Sequence, residues 1–379
     1  MTTNAAAVMA ARTADLEVRE VPCPSPGPNQ ILIRNHFIAV NPLDVVKQAT
    51  GNLMYGWLPY PAVLGEDVAG EVMEIGSGVT RFGPGDRVIA YALGMEKGRD
   101  HSAEGGFQLY TVVDAVLAAP IPDTMSLADA VVLPLAMSTA ACGLFQDDQL
   151  ALRYPTVPAP STLAESSSKE WVVVWGGSTS VGSNAIQLAV AAGYRVLTTS
   201  SPQNHDRMRA LGADLAVDYA NPHAVADIVA ALKGGAVAGI LAIGTGSAEP
   251  CITIARRTGA KRVALASPSV SLQGMRRTAG RSPRQALAVL ELVLRTAKMM
   301  TRARLLGIRA KFIWGASLRD NAVGPMLWTD FLPAALRDGT YLPAPASQIV
   351  GDGLDQVQNA LNILGKGVSA RKLVIRLPS

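Results

Sequence analysis

Apolar runs and amphipathic segments alternate regularly in the C-terminal half of the chain. The first apolar run, residues 171–175, leads through a turn rich in glycine and hydroxyl residues into a helical pattern at 183–192. Strand patterns recur at 194–199, 215–219, 239–243 and 262–266, with helical patterns at 204–211 and 224–232 between them. Continuous apolar strands separated by helices indicate a parallel sheet that is buried on both faces. The pattern therefore predicts an α/β protein with a doubly wound parallel sheet.

The turn after the first strand carries the most informative motif. Its two glycines hold the first and last positions of a G-x-G-x-x-G pattern, with a threonine in place of the middle glycine. A strand that turns into a helix here directs backbone N–H groups at one point, which suits a pyrophosphate. This Rossmann pattern predicts dinucleotide binding, a tight turn without a ligand being the alternative. The predicted binding residues are Gly177, Ser178, Thr179, Ser180, Val181 and Gly182, with Gly244 and Ala266 at the ends of later strands.

The end of the second strand indicates which dinucleotide is bound. A site for NAD usually has an acid here that binds the ribose 2′-hydroxyl. This strand ends in Ser200 and Ser201 instead, and the following segment carries His205, Arg207 and Arg209. Hydroxyls and cations suit a 2′-phosphate, so the sequence predicts NADPH. The alternative is an ordinary Ser-Pro turn that begins a solvated helix.

The N-terminal part has a different rhythm. Short strand patterns at 31–35, 70–75, 86–90 and 107–113 are separated by turns rich in glycine and proline, which predicts a small, partly open β-barrel. Residues 126–144 form two helical pieces interrupted by Pro134, and residues 153–170 form an exposed loop. Helices at 331–336 and 353–364 and a strand at 372–377 complete the prediction.

Length and charge limit the possible functions. The chain has 379 residues, which suggests two domains because single cores seldom exceed roughly 250–300 residues. A net charge of +4 is too small to indicate nucleic-acid binding. Residues 276–311 nevertheless hold ten Lys and Arg residues against one acid, Glu291. They form either a solvated helix face or a docking surface for a polyanion or a partner.

The cysteine and hydropathy patterns bear on the cellular compartment of the protein. The three cysteines are far apart and imply no disulfide framework. The longest apolar stretch, residues 128–145, contains Asp129 and Pro134 and falls short of a membrane span. No signal-peptide pattern is evident at the N-terminus. We therefore expect a soluble cytoplasmic protein without a membrane partner, either a monomer or a homodimer.

Four motifs carry a family resemblance: NPLD at 41–44, LGEDVAG at 64–70, GPGDRV at 83–88 and the turn at 177–182. On these the chain resembles the medium-chain dehydrogenase/reductase superfamily. It is most similar to zinc-independent quinone oxidoreductases and to fungal stand-alone enoyl reductases that serve polyketide synthases. The resemblance implies a GroES-like catalytic domain, residues 1–134 and 311–379, interrupted by a Rossmann NADPH-binding domain, residues 135–310.

The resemblance also identifies the positions that ligate catalytic zinc in alcohol dehydrogenases. This chain has Asn41, Glu66 and Leu135 there, whereas a catalytic zinc needs three good ligands. The sequence therefore predicts that no zinc is bound. Alcohol oxidation relies on a metal to stabilise the alkoxide, so the substitutions favour reduction of an activated C=C bond or a quinone.

Several site residues are implied by the resemblance alone. Asn41 would face the nicotinamide, or else cap a turn before Pro42. Thr139 would contact the nicotinamide ribose or amide, or simply begin a helix. Tyr219 would pack near the 2′-phosphate. Ser369 and Lys372 could reach the cofactor, although a lysine beside a terminal strand is usually solvated.

The source of the substrate's second hydrogen, a proton, is open. Lys47 is one candidate, because similar polyketide reductases place a lysine close to this position. A solvated surface lysine is favoured, because Lys is rarely buried. Tyr55 and Tyr60 are rival donors, and a proton from solvent is the preferred hypothesis.

These observations predict an NADPH-dependent reductase of a small hydrophobic α,β-unsaturated carbonyl compound, in secondary metabolism and with a polyketide synthase as a potential partner. One alternative is a quinone or ketone reductase. Another is a catalytically weak NADPH-binding sensor or scaffold, since one fold hosts many functions.

Overall fold

The structure, a computed structural model, describes residues 3–160, 170–268 and 283–378. The strands in these ranges are β1 Asn4–Met9, β2 Leu16–Val21, β3 Gln30–Ala39, β4 Ala62–Val63, β5 Asp67–Ile75, β6 Arg87–Tyr91, β7 Tyr110–Asp114, β8 Ala118–Pro120, β9 Glu170–Trp175, β10 Arg195–Thr199, β11 Leu215–Val217, β12 Ala236–Ala242, β13 Arg262–Leu265, β14 Arg309–Phe312, β15 Ala346–Asp352 and β16 Arg371–Arg376.

The helices of the same ranges are α1 Pro42–Thr50, α2 Leu127–Ala130, α3 Pro134–Phe145, α4 Ser180–Ala191, α5 His205–Ala210, α6 Ala224–Ala231, α7 Ala248–Thr258, α8 Pro283–Leu305, α9 Val323–Pro325, α10 Leu332–Arg337 and α11 Gln356–Gly365. A π-helical stretch, Met326–Phe331, joins α9 to α10. Three short 3₁₀ turns lie at Ala115–Leu117, Pro202–Asn204 and Gly315–Asp320.

The predicted parallel sheet is confirmed. Six strands lie in the order β11-β10-β9-β12-β13-β14, and every neighbouring pair is parallel. Val172 and Val174 of β9 pack into the core shared with α3 and α4, whereas Trp171 and Val173 pack into the core shared with α7. Because both faces of this strand are buried, its sequence is an unbroken apolar run.

The remaining strands form the predicted barrel-like part, which is mainly antiparallel. One sheet has the order β15-β16-β3-β5-β6-β8, with β7 also pairing with β3, and a smaller sheet has the order β2-β1-β4. β16 pairs with β3, so the end of the chain returns to the N-terminal sheet. This pairing brings residues near position 372 beside residues near position 41.

A long apolar segment of the described chain is part of the core. Leu127–Phe145 has the length and the mean hydropathy, 1.7, of a membrane span, but 78% of it is buried inside the fold. It is divided into α2 and α3 as predicted, with Pro134 in the first turn of α3, a position that needs no N–H donor. The helix therefore packs against the parallel sheet as an ordinary core element.

The basic segment lies only partly within the described residues. Residues 276–282 lie outside them, as do residues 161–169 of the predicted loop. The rest of the segment is mostly α8, in which Arg295 pairs with Glu291 and Arg302 with Glu249 of α7. Several apolar side chains of this helix are exposed, among them Leu287 and Leu294.

Candidate cofactor and substrate site

The turn between β9 and α4 is built around close backbone contacts. A Cβ atom on Gly177 would lie 2.1 Å from Thr198 Oγ1, and one on Gly182 would lie 2.2 Å from the carbonyl oxygen of Gly176. Only glycine fits at these two positions. The threonine at the middle of the motif has its own role, because Thr179 Oγ1 accepts from the N–H of Gly182 at 3.0 Å and donates to the Gly176 carbonyl at 2.8 Å.

The geometry of this turn fits a pyrophosphate. Thr179 is the N-cap of α4, and Ser180 and Val181 form its first turn, where backbone N–H groups have no partner within the helix. Ser178 and Ser180 are half-buried and Thr179 is exposed. The helix N-terminus and the hydroxyl groups beside it are suitable donors for an anion. A dinucleotide phosphate is the group these residues could hold.

The end of β10 brings together the residues predicted to select the cofactor. Ser200 is fully buried, and its hydroxyl donates to the carbonyl of Ser201 at 3.2 Å. The hydroxyls of Ser201 and Tyr219 lie 3.3 Å apart, and Tyr219 is half exposed. The His205 ring is 3.2 Å from the carbonyl oxygen of Ser200. Ser201 and Tyr219 therefore form the accessible polar surface at this strand end.

Two arginines from distant parts of the sequence lie beside this surface. Arg207 of α5 donates to the carbonyl oxygen of Ala370 at 2.9 Å. Partial burial and then the charge of Arg371 lower the pKa of Arg207. Ser369 is exposed in the same segment. The segment that leads into β16 thus contacts α5, and Arg371 in it is a cation that the sequence reasoning missed.

Two further predicted residues lie at the ends of adjacent strands. Gly244 follows β12, and its N–H donates to Ser267 Oγ at 2.9 Å. Ala266 follows β13 and is half-buried, and its N–H donates to the Ala242 carbonyl at 2.9 Å. Both residues stand at the carboxyl edge of the parallel sheet, where this fold class binds ligands.

A buried polar network connects four elements at the start of α3. Asp67 Oδ2 accepts from Lys372 Nζ at 2.7 Å and from Asn41 Nδ2 at 2.8 Å, while Asp67 Oδ1 accepts from the backbone N–H of Leu135 at 2.6 Å. Lys372 Nζ also donates to Asn41 Oδ1. Lys372 is only 3% exposed, so the interpretation of it as a solvated lysine is wrong. The buried charges are compensated because they are paired and hydrogen-bonded.

Asn41 also belongs to the start of α1. Its backbone N–H donates to Asp44 Oδ2 at 2.8 Å, while its side-chain amide is bound by Asp67 and Lys372. Asn41 is therefore the N-cap residue of α1, as the alternative interpretation expected, and its position facing the nicotinamide stays a prediction. Burial is the main cause that raises the pKa of Asp44, from 3.8 to about 7.

Lys47 is neither on the surface nor directed at an open space. It is fully buried, and its ammonium group donates to the backbone carbonyls of Gly51 at 3.0 Å, Tyr55 at 3.1 Å and Met54 at 3.4 Å. The prediction of a solvated lysine is therefore wrong. Burial lowers the pKa of Lys47 to about 8. Its contacts fix the loop in which Tyr55 has a left-handed backbone, with φ of 53°, a conformation that non-glycine residues seldom adopt.

Aromatic side chains surround Tyr55. The ring of Tyr55, itself buried, lies 5.5 Å from that of Trp57 and 5.4 Å from that of Trp314. Trp57 and Trp314 are each about two-fifths exposed, and Trp314 Nε1 donates to Glu96 at 2.9 Å. The rival donor Tyr60 instead bonds to Asn52 Oδ1 at 3.0 Å, in an exposed contact. The exposed rings offer an apolar surface to a hydrophobic molecule.

Thr139 lies in the second turn of α3 and is half-buried. A Cβ atom on Gly315 would lie 2.6 Å from Thr139 Oγ1 and 3.3 Å from the hydroxyl of Tyr91. The two hydroxyls therefore face the same stretch of backbone. Thr139 does not begin the helix, so the alternative of a helix-terminal residue is wrong.

Glu66 is the residue that the sequence reasoning considered only as a zinc ligand. It is fully buried, and neither carboxyl oxygen has a hydrogen-bond partner. Burial, followed by the nearby Asp44, raises its pKa well above the ordinary value. In its ionised form, Glu66 would also raise the pKa values of the nearby Tyr55 and Tyr91 hydroxyls. Among the described residues, no group of three or more His, Cys, Asp or Glu side chains is arranged to hold a metal ion.

Comparisons with known proteins agree with this architecture. Residues 27–123 match the family model described as the alcohol dehydrogenase GroES-like domain. The chain is 44% identical to dehydrogenase pigH of Monascus ruber, with 100% of both chains covered. It is 36% identical to trans-enoyl reductase himH of Aspergillus japonicus, over 97% of this chain and 95% of the relative.

Among solved structures, the CurK enoyl reductase has the same fold, with a TM-score of 0.72 over 100% of both chains at 15% identity. The fold, the matched domain and the full-length relatives lead to one assignment. The chain belongs to the medium-chain dehydrogenase/reductase superfamily, together with the fungal dehydrogenases and trans-enoyl reductases to which it is similar.

Proposed function

We propose that this oxidoreductase uses NADPH to reduce a C=C bond conjugated to a carbonyl group, independently of zinc. When bound, the reduced nicotinamide supplies a hydride to the electron-poor alkene carbon. The similarity to himH, named a trans-enoyl reductase, supports this reaction class. The observation that carries the proposal is the set of side chains at the three positions where alcohol dehydrogenases hold zinc.

None of these three positions is organised as part of a three-ligand zinc site. The amide of Asn41 is already bound by Asp67 and Lys372, and the side chain of Leu135 is apolar. Glu66 would supply a single ligand, which is too few to hold a zinc ion. Negative charge that develops on a substrate oxygen must therefore be stabilised by hydrogen-bond donors or removed by a proton. Conjugate reduction of an enone meets this requirement, because its charge is delocalised in an enolate.

The residues that would hold the cofactor follow one edge of the parallel sheet. Gly177–Gly182 would bind the pyrophosphate through backbone N–H groups. Ser201, Tyr219 and the nearby arginines Arg207 and Arg371 would bind the 2′-phosphate. Thr139 and the hydrogen-bonded side chains of Asn41 and Lys372 would orient the nicotinamide.

Cofactor preference is a direct prediction of this arrangement. NADPH should bind at least about tenfold more tightly than NADH, a difference of about 1.4 kcal/mol, because hydroxyls and cations meet the phosphate. Titration of nicotinamide fluorescence measures both affinities. Ser200→Asp and Ser201→Asp should each move the preference toward NADH, whereas Ser77→Asp, on an exposed turn far along the sequence, should not. Equal affinities of the unchanged protein for the two cofactors would contradict the prediction.

The substrate proposal rests on the aromatic wall, the group of three neighbouring rings formed by Tyr55, Trp57 and Trp314. Tyr55, Trp57 and Trp314 form an apolar surface suited to a small hydrophobic unsaturated carbonyl compound, including an acyl chain presented by a polyketide synthase. A quinone or ketone reductase is the second candidate, because the same wall accepts flat rings. Oxidation of NADPH with a panel of enones, quinones and saturated ketones distinguishes these candidates. Binding of NADPH without turnover of any acceptor would favour a sensor or scaffold instead.

A further inference from the structure

Glu66 is a fully buried acid whose carboxyl group makes no hydrogen bond within the described part of the chain. Its neighbours come from every element packed against it: Asp44 of α1, Tyr55 of the following loop, Asp67 of β5, Tyr91 of β6, Glu96 after β6 and Lys372 of β16. Lys372 is the cation among these, and it is already bonded to Asp67 and Asn41. Both oxygens of Glu66 lack a hydrogen-bond partner.

An ionised carboxylate in this position would lose its hydration without gaining a hydrogen bond from the protein. The neutral acid avoids that cost, and it keeps an O–H donor that no group of the protein uses. Burial and the three neighbouring carboxyl groups raise the pKa of Glu66, and Lys372 only partly offsets them. These effects favour the protonated form of Glu66, and the neighbouring Asp67, Asn41 and Lys372 are paired with one another.

We propose that Glu66 is a catalytic residue, the general acid that delivers a proton to the α-carbon of the substrate. This inference rests on the proposed function, an enone reduction. Two observations carry it: the unpartnered buried carboxyl group, and its position near Tyr91, whose hydroxyl faces Gly315 together with Thr139. Substrate polar atoms in this space would supply the partner that Glu66 lacks.

The chemical balance of the step is simple. Addition of the nicotinamide's hydride at the β-carbon leaves the alkene electron pair as an enolate on the substrate. The O–H bond of Glu66 then breaks, a C–H bond forms at the α-carbon and the electron pair stays on the carboxylate. Solvent returns the proton to Glu66 before the next turnover. The substrate gains one hydride and one proton, and the nicotinamide is oxidised.

The first test needs neither cofactor nor substrate. The infrared spectrum of the full chain at neutral pH should contain the carbonyl band of a neutral carboxylic acid, and Glu66→Gln should remove this band. The difference spectrum between the unchanged protein and the variant shows the loss. Asp44→Asn identifies any band from that second buried acid. Glu74→Gln, an exposed change on β5, the strand that follows Glu66, should leave the spectrum unaltered. Lack of a band that depends on Glu66 overturns the proposal, whether or not the chain turns over any acceptor.

The second test follows the product of 2-methyl-2-pentenal, which gains a stereocentre at its α-carbon. Glu66→Gln should lower turnover about 100-fold, the usual scale for a positioned acid, and should leave the affinity for NADPH within about twofold. The remaining product should lose its enantiomeric excess, because water protonates the enolate from either face. Glu66→Asp should restore part of the rate, and Glu74→Gln should behave as the unchanged protein.

Turnover and enantiomeric excess that survive Glu66→Gln overturn the proton role alone. Loss of activity in Tyr55→Phe or Tyr91→Phe, with Glu66→Gln active, reassigns the proton to that tyrosine and has the same consequence. Failure of every acceptor in the panel, with the infrared band present, contradicts the proposed function instead. The failure of the proton role and the failure of the reaction class are therefore distinguishable.

Discussion

Individual buried ionisable groups determine the chemistry that is open to the candidate site. Both carboxyl oxygens of Asp67 are hydrogen-bonded, since they accept from Lys372, Asn41 and the backbone of Leu135. In Glu66, the residue before it, neither carboxyl oxygen has a hydrogen-bond partner. Adjacent acids in one motif therefore have different surroundings, because Asp67 is paired with a cation whereas the carboxyl group of Glu66 is desolvated without a partner. Composition alone cannot distinguish them, since the difference arises from Lys372, about 300 positions further along the sequence.

The protonation of the buried acids predicts how stability depends on pH. Burial raises the pKa of Asp44 from 3.8 to about 7, so the folded chain holds a proton that the unfolded chain has lost between these values. The free energy of unfolding should therefore fall as pH rises from about 4 to about 7. Asp44→Asn should weaken that dependence, as measured by urea unfolding across this range.

A matched control is available for this pH effect. Asp338→Asn changes an exposed aspartate after α10, and its pH dependence should follow that of the unchanged protein. Equal slopes for the Asp44→Asn variant and the unchanged protein would show that Asp44 is ionised in the fold. Glu66 contributes to the slope in the same direction, because its pKa is also raised by burial.

Lys47 supplies a prediction about stability at the residue scale. Lys47→Met removes the donor to three backbone carbonyls of the loop that carries Tyr55. The free energy of unfolding should fall by about 2–3 kcal/mol, because buried acceptors lose a charged donor. Turnover should fall as Tyr55 moves, while the affinity for NADPH stays nearly constant. Lys97→Met, an exposed control, should change stability by less than about 0.5 kcal/mol, and an equally small effect of Lys47→Met would contradict this account.

At the scale of single elements, the local sequence pattern was sufficient to predict an element whose geometry depends on its own residues. The turn from β9 to α4 was predicted because its close contacts require glycine at two positions of the sequence. Pro134 likewise marked the break between α2 and α3. By contrast, α1 and β14 were not predicted. β14 has one buried residue, Ala310, so it lacks the apolar run of a central strand.

Gly177→Ala tests the geometry of the cofactor turn. The added methyl group would overlap Thr198 Oγ1 at 2.1 Å, so the strand and the turn must separate. We expect a loss of about 1–3 kcal/mol of unfolding free energy and at least a tenfold weaker affinity for NADPH, measured by fluorescence titration. Gly83→Ala is the control, because no atom lies within 4 Å of the position that its added methyl group would take. Unchanged NADPH affinity in Gly177→Ala would mean that the turn does not hold the cofactor.

At the scale of the whole molecule, the sequence indicated the two kinds of sheet but not the interior of the cleft. The parallel sheet follows from its alternating pattern, and the family resemblance implied the return of the chain to the N-terminal sheet. The pairing of β16 with β3 places Lys372 next to Asn41 and Asp67. A lysine beside a terminal strand looks solvated until that tertiary pairing is known. Lys47 was misjudged for the same reason, since its acceptors are carbonyls that no sequence pattern reveals.

The position of the transferred hydride tests the central claim most directly. The full-length protein is incubated with NADPH deuterated at nicotinamide C4 and an α,β-unsaturated ketone, and the product is analysed by mass spectrometry and NMR. The account predicts deuterium at the β-carbon of a saturated product whose ketone is intact. Deuterium on the carbinol carbon of an unsaturated alcohol would contradict it and would identify a carbonyl reductase.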